Sequence, residues 1–97
     1  MEFEWDAGKA RRNFHKHGIA FQQAITAFDD PYALIAPDHT HSTTEEIREW
    51  LIGESDDGVL VVVFTKRYGG QTYRIISARR ASRRERSRYE DFKRISL

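Results

Sequence analysis

Residues 72 to 94 read Thr-Tyr-Arg-Ile-Ile-Ser-Ala-Arg-Arg-Ala-Ser-Arg-Arg-Glu-Arg-Ser-Arg-Tyr-Glu-Asp-Phe-Lys-Arg, and their guanidinium groups are the main chemical resource of the chain. Between residues 79 and 94, eight of the sixteen Lys and Arg face only three carboxylates, a surplus of five positive charges. Elsewhere eight basic residues face twelve acidic ones, so the formal net charge of +1 conceals a strong asymmetry. An arginine fork holds two phosphate oxygens at once, which makes a phosphate-rich partner a natural match. A solvated basic helix face accounts for the same composition equally well.

One reaction that such a set could serve, among other uses of a phosphate-binding surface, is RNA cleavage without a metal or other cofactor. A ribose 2′-OH attacks the neighbouring phosphate. The step needs a group to take the hydroxyl proton, positive charge on the phosphate as it becomes pentacoordinate, and a proton for the leaving 5′ oxygen. Arginine, always protonated near neutral pH, suits the second task. By analogy with oxyanion-hole donors, losing one such contact costs ~2.7–4 kcal/mol of barrier.

The candidate catalytic residues are Arg67, Arg74, Arg79, Glu85 and His17. Arg80, Arg83, Arg84, Tyr89 and Lys9 are candidates for holding RNA, Tyr89 by hydrogen bonding or by stacking on a base. Plainer roles compete. Ser82-Arg83-Arg84-Glu85 is a capping box that fully explains Glu85. Tyr89 is spaced with Phe92 as a core residue, and His17 before Gly18 suits a helix C-terminus. Arg74 can serve as a structural ion-pair partner. Strict alternation also puts Arg74 and Arg79, five residues apart, on opposite faces of a strand. Both reach one site only if the strand ends before Arg79. Arg67 comes near Arg74 if their strands pair around Gly69-Gly70.

Two His-x-His pairs raise the question of a metal. On a helix, His15 and His17 diverge by about 200°. His39 and His41 have no third ligand nearby in sequence, and the chain has no cysteine. No metal site is expected. Three function classes stay open: an RNA-cleaving enzyme, a non-catalytic nucleic-acid-binding or regulatory module using the same arginine surface, and a structural protein-interaction domain. Salt-dependent RNA binding fits the first two, and only cleavage separates them.

Ninety-seven residues, 39% hydrophobic and 32% charged, fit one globular domain spanning residues 1–97. No apolar run approaches the ~20 residues of a membrane span. The acidic start, Met-Glu-Phe-Glu-Trp-Asp, lacks a signal-peptide core. With no cysteine, the composition is compatible with the cytoplasm.

Phe3 and Trp5 alternate with Glu2 and Glu4 as a short strand does. Asp6 caps a predicted helix to about His17, with Ala7, Ala10 and Phe14 as its apolar stripe and Gly18 as its stop. Apolar positions 21, 24, 25 and 28 predict a second helix, ended by Asp29-Asp30-Pro31. Tyr32 to Ala36 reads as a strand and Pro37 to Thr44 as a loop. Thr43-Thr44-Glu45-Glu46 is a capping-box pattern, yet Asp57-Gly58 is a hairpin turn that needs an incoming strand, so Arg48 to Glu54 is predicted extended. Val59 to Lys66 and Tyr73 to Ala78 follow as strands, then a helix opened by Ser82. The expected architecture is α+β: two N-terminal helices and a C-terminal helix packed on an antiparallel sheet of about four strands.

Four fragments, taken together, carry a family likeness. They are Phe3-Glu4-Trp5-Asp6 with Lys9 and Asn13; Lys16-His17-Gly18-Ile19 with Phe21; Phe28-Asp29-Asp30-Pro31; and Arg74-Ile75-Ile76-Ser77-Ala78-Arg79 with Glu85-Arg86 and Tyr89. In this order and spacing they resemble the BrnT toxins of bacterial type II toxin–antitoxin systems. The resemblance implies a compact, RelE-like ribonuclease toxin that inhibits translation. It also implies a BrnA-type antitoxin whose ribbon–helix–helix part reads operator DNA. Ala20, where a serine or threonine helix cap is expected, and the His39-Thr40-His41 loop depart from the family pattern.

Overall fold

The elements of the computed structural model, which describes residues 1–97, are β1 (Glu2–Glu4), α1 (Ala7–His17), α2 (Phe21–Ala24), a 3₁₀ turn (Ile25–Asp29), β2 (Leu34–Pro37), β3 (Arg48–Ser55), β4 (Gly58–Arg67), β5 (Thr72–Arg80) and α3 (Arg83–Ser96). The strands form one sheet in the order β1-β5-β4-β3-β2. The α+β architecture is the expected one, with five strands where about four were anticipated. The sheet is mixed, because β1 pairs with β5 in parallel while the other neighbours are antiparallel.

Local chemistry explains the hairpins. Ser55 pairs with Gly58 across a two-residue turn, and Gly58 sits at φ +92°, where a side chain is strained. Gly69 and Gly70, at φ +66° and +88°, turn the chain from β4 into β5. Gly53, inside β3, answers a different need. A Cβ there would lie 2.9 Å from the Ala27 carbonyl oxygen, so glycine lets the 3₁₀ turn press onto the sheet.

One face of the sheet carries the main core. Leu51, Leu60, Val62, Phe64, Ile75 and Ala78 pack against Ile19, Phe21, Ala24 and Ala27. Removing each large side chain from water contributes ~1.5–3 kcal/mol. Phe3, Phe28, Phe64 and Tyr73 extend this core as a group of aromatic contacts, their centroids 5.0–6.1 Å apart. The second helix predicted from Phe21 to Phe28 is α2 running into the 3₁₀ turn. Ala20 offers no capping oxygen, and the Gln23 side chain instead accepts its N–H at 2.8 Å.

The opposite face is only partly covered. There α3 packs Tyr89 onto Ile52 and Val61. Tyr89 is buried, whereas Phe92, spaced with it on the helix, is 42% exposed and Ile95 81%.

The buried residue of α1 is Asn13, and Phe14 is half-exposed. β1 stops pairing at Arg74, which leaves the edge of β5 beyond it without a strand. Asn13 fills that place. Its amide nitrogen donates to the carbonyls of Ile19 (3.0 Å) and Ala78 (2.9 Å), and its oxygen accepts from the Ala78 N–H (3.0 Å). This satisfies a sheet edge with a side chain and lays α1 along it.

Candidate active site

Val63 pairs with Ser77 and Phe64 with Ile75, so Ile76 is an extra residue in β5. This bulge resets the alternation. Ile75 and Ala78, three residues apart, share the core face, and Arg74, Ser77 and Arg79 share the other. The expectation that the strand must end before Arg79 is therefore corrected. The strand runs to Arg80, and the bulge turns Arg74 and Arg79 to one side.

On that side, beyond α3, lies a cavity of about 480 Å³. Its floor is Trp50, Val63, Ile76 and Ser77, and its rim carries Arg48, Arg79, Arg88 and Glu85. A second cavity of about 410 Å³ shares Arg48, Ile76 and Ser77 with it and continues onto α1, where Lys9, Arg12, Lys16 and His17 line it. Together they form one trough crossing the bulge. No carboxylate lines the α1 half.

Arg79 and Glu85 meet as a fork-to-fork pair, at 2.7 and 2.8 Å. Glu85 also accepts the Ser82 N–H at 2.8 Å, which completes the capping box. Its carboxyl pKa is lowered to about 2, chiefly by Arg79, with burial opposing and Ser82 assisting. Arg79 is raised in turn by Glu85. A carboxylate this acidic is a poor proton carrier at neutral pH. The geometry makes Glu85 a clamp that fixes Arg79. Arg48 is held likewise: its Nε donates to Glu46 at 2.8 Å. That bond is the main reason the Glu46 carboxyl is lowered, against some burial.

The other predicted residues are sorted by the sheet. Arg74 pairs with Glu4 at 2.7 Å, and Arg67 approaches the same carboxylate at 4.0 Å. They are neighbours, as expected. However, Arg74 lies opposite Thr65 and Arg79 opposite Val61, so the two positions are ~13 Å apart along the strand. Lys9 and His17 fall in the α1 half of the trough. Arg80 pairs with Leu60, on the core-facing side of the sheet, and is exposed. Arg83 and Arg84 line neither half of the trough but an adjoining open hollow with Ser87 and Asp91, which borders the larger cavity at Arg88. Tyr89 is 1% exposed, and its hydroxyl donates to the Asp30 carboxylate, so its ring is core and cannot stack on a base. Burial, then Asp30, pushes its phenol well above the usual range.

Three contributors lie outside the expected set: Arg48, Arg88 and the loop after β2, whose histidines were weighed only as metal ligands. In that loop His41 Nδ1 donates to Asp38 Oδ2 at 2.9 Å, and both residues line the larger cavity. The Asp-x-x-His spacing was a readable signal for this contact, since Asx side chains bond locally within turns. No three His, Cys, Asp or Glu side chains come together as a metal-binding group, and no helix is long and apolar enough to cross a membrane.

These features define a small α+β protein with a cationic trough on the open face of its sheet. The family model described as "Ribonuclease toxin, BrnT, of type II toxin-antitoxin system" matches residues 5–85, and the chain belongs to that family. Membership implies an RNA target and an antitoxin partner. No curated protein matches the chain.

Proposed function

We propose that the chain is a cytoplasmic, metal-independent endoribonuclease toxin that cleaves RNA by 2′-OH attack on the adjacent phosphate and so inhibits translation. The observation that carries this reading is the trough, which gathers six Lys and Arg side chains from α1, β3, β5 and α3 along one path. Guanidinium groups there supply the charge the pentacoordinate phosphate needs. Arg79, fixed by Glu85, and Arg48, fixed by Glu46, are the groups best oriented for it. Lys9, Arg12 and Lys16 then hold the flanking backbone of a single strand.

The partner in this reading is a BrnA-type antitoxin, which covers the trough with an acidic segment and reads operator DNA through its ribbon–helix–helix part. The test incubates antitoxin-free protein with RNA in EDTA. The expected result is fragments ending in 2′,3′-cyclic phosphate, reduced at least ~100-fold in Arg79→Ala/Arg88→Ala. Arg83→Ala/Arg84→Ala, outside the trough, retains cleavage. If wild type binds RNA but leaves it intact, the chain is a binding module and the enzymatic reading fails.

A further inference from the structure

Two imidazoles line the trough: His17 in its α1 half, and His41 in the larger cavity where Arg79 and Arg88 also lie. Arg48, Arg79 and Arg88 stay protonated. Glu85 stays ionised, clamped to Arg79 with its pKa at about 2. Asp38 is occupied by His41. Tyr89 is buried beneath α3. In the larger cavity His41 is left, and imidazole is the side chain that exchanges protons in the neutral range.

His41 is also positioned. A carboxylate only accepts, so the 2.9 Å contact to Asp38 Oδ2 places a proton on Nδ1, and in the neutral ring Nε2 then carries the lone pair. The His41 backbone N–H donates to the same carboxylate, to Oδ1, at 3.3 Å. The loop itself is stitched to the start of β3. The Asp38 N–H donates to the Arg48 carbonyl (2.8 Å), the Ser42 hydroxyl to the Asp38 carbonyl (2.7 Å), and the Arg48 N–H to the Ser42 hydroxyl (2.9 Å). The imidazole and the Arg48 guanidinium thus hang from one bonded unit and face the same cavity. His41 contacts Asp38 on its own loop and shares the cavity with Arg48 from β3, Arg79 from β5, and Glu85 and Arg88 from α3.

We infer that His41, oriented by Asp38, is the general base of RNA cleavage in this chain, an inference that rests on the ribonuclease reading above. Nε2 takes the proton of the ribose 2′-OH. The O2′–P bond forms and the P–O5′ bond breaks. The departing O5′ takes a proton from water, and the hydroxide so formed takes the proton from the imidazolium, which restores the base. Asp38 is a positioning residue, holding the tautomer and opposing the charge that forms on the ring.

The experiment measures kcat/KM for a short RNA from pH 5 to 8, with RNA affinity measured separately. Wild type loses rate on acidification through the imidazole range. His41→Ala lowers kcat/KM ~10²–10⁴-fold, the usual contribution of a general base, and abolishes the acid limb. RNA affinity changes less than about threefold, and added imidazole restores part of the rate. Asp38→Asn loses on the order of tenfold while keeping RNA affinity, because the ring loses its charged anchor. His39→Ala, on the same loop but outside the cavity, is unchanged. If His41→Ala cleaves at the wild-type rate with its acid limb intact, the inference falls and the ribonuclease reading stands. A loss matched by lost RNA affinity and not rescued by imidazole also overturns it, in favour of a mere contact. A wild type that cleaves nothing removes both.

Discussion

Replacing Glu85 with glutamine separates a clamp from a proton carrier. Glu85 holds both Arg79 nitrogens and the Ser82 N–H, and its pKa falls from 4.5 to about 2. A difference of that size corresponds to ~3 kcal/mol by linkage. With the side chain 28% exposed, solvent screening reduces this to ~1–2 kcal/mol. The pKa is depressed on folding, so the contribution is complete above the unfolded value of 4.5 and is lost as pH falls toward 2. Urea denaturation of wild type and Glu85→Gln at pH 7 should therefore differ by ~1–2 kcal/mol, with over half of that gone by pH 3. Cleavage should fall less than ~10-fold, because glutamine keeps one hydrogen bond to Arg79 and the cap. A proton carrier would cost ~10²–10⁴-fold. A loss of that size with stability unchanged, or a stability difference identical at pH 7 and pH 3, refutes the clamp.

Two further outcomes follow from single contacts. Asn13→Ala leaves the Ala78 N–H and the Ala78 and Ile19 carbonyls without partners. The expected destabilisation is ~2–4 kcal/mol, read from the urea midpoint, with faster hydrogen exchange at the Ala78 amide. Tyr89→Phe removes one of three donors to Asp30, the others being the Glu54 and Tyr32 N–H groups. It should cost ~1.5–3 kcal/mol in thermal or urea unfolding and leave RNA affinity unchanged. A drop in RNA affinity without a drop in stability would return Tyr89 to the binding surface.

The hairpins were legible because their causes are local. Asp57-Gly58 and Gly69-Gly70 name their own turns, and the first of them decided the contested stretch before it. Thr43-x-x-Glu46 does bond as a capping pattern does, the Glu46 N–H donating to the Thr43 hydroxyl at 3.0 Å. The Thr43 N–H, however, closes the turn onto the Glu46 carbonyl, and β3 begins at Arg48. Pairing along β4 outweighed the local helix signal. The bulge at Ile76 was not legible, since one inserted residue leaves no compositional mark. It nevertheless decides which arginines share a face. Neighbours in sequence were then separated: Arg79 enters the trough while Arg80 turns to the other side. Distant residues were joined: Arg48 and the Lys9, Arg12, Lys16 row of α1, whose 3-and-4 spacing was readable as one helical face.

Pairing divides the trough's cations into two kinds, and the division fits two tasks. Arg48 and Arg79 each spend part of the guanidinium on a carboxylate and are thereby fixed in direction, Arg79 donating also to the Arg80 carbonyl at 3.3 Å. Lys9, Arg12, Lys16 and Arg88 make no ion pair. An unpaired surface cation gives up little when it meets a phosphate and can follow a moving strand. A fixed one costs less reorganisation at the moment charge develops. Affinity should therefore reside in the α1 row and rate in the two clamped arginines. Lys16→Ala should weaken RNA binding and its salt dependence while sparing the rate of bound RNA, and Arg79→Ala should do the reverse.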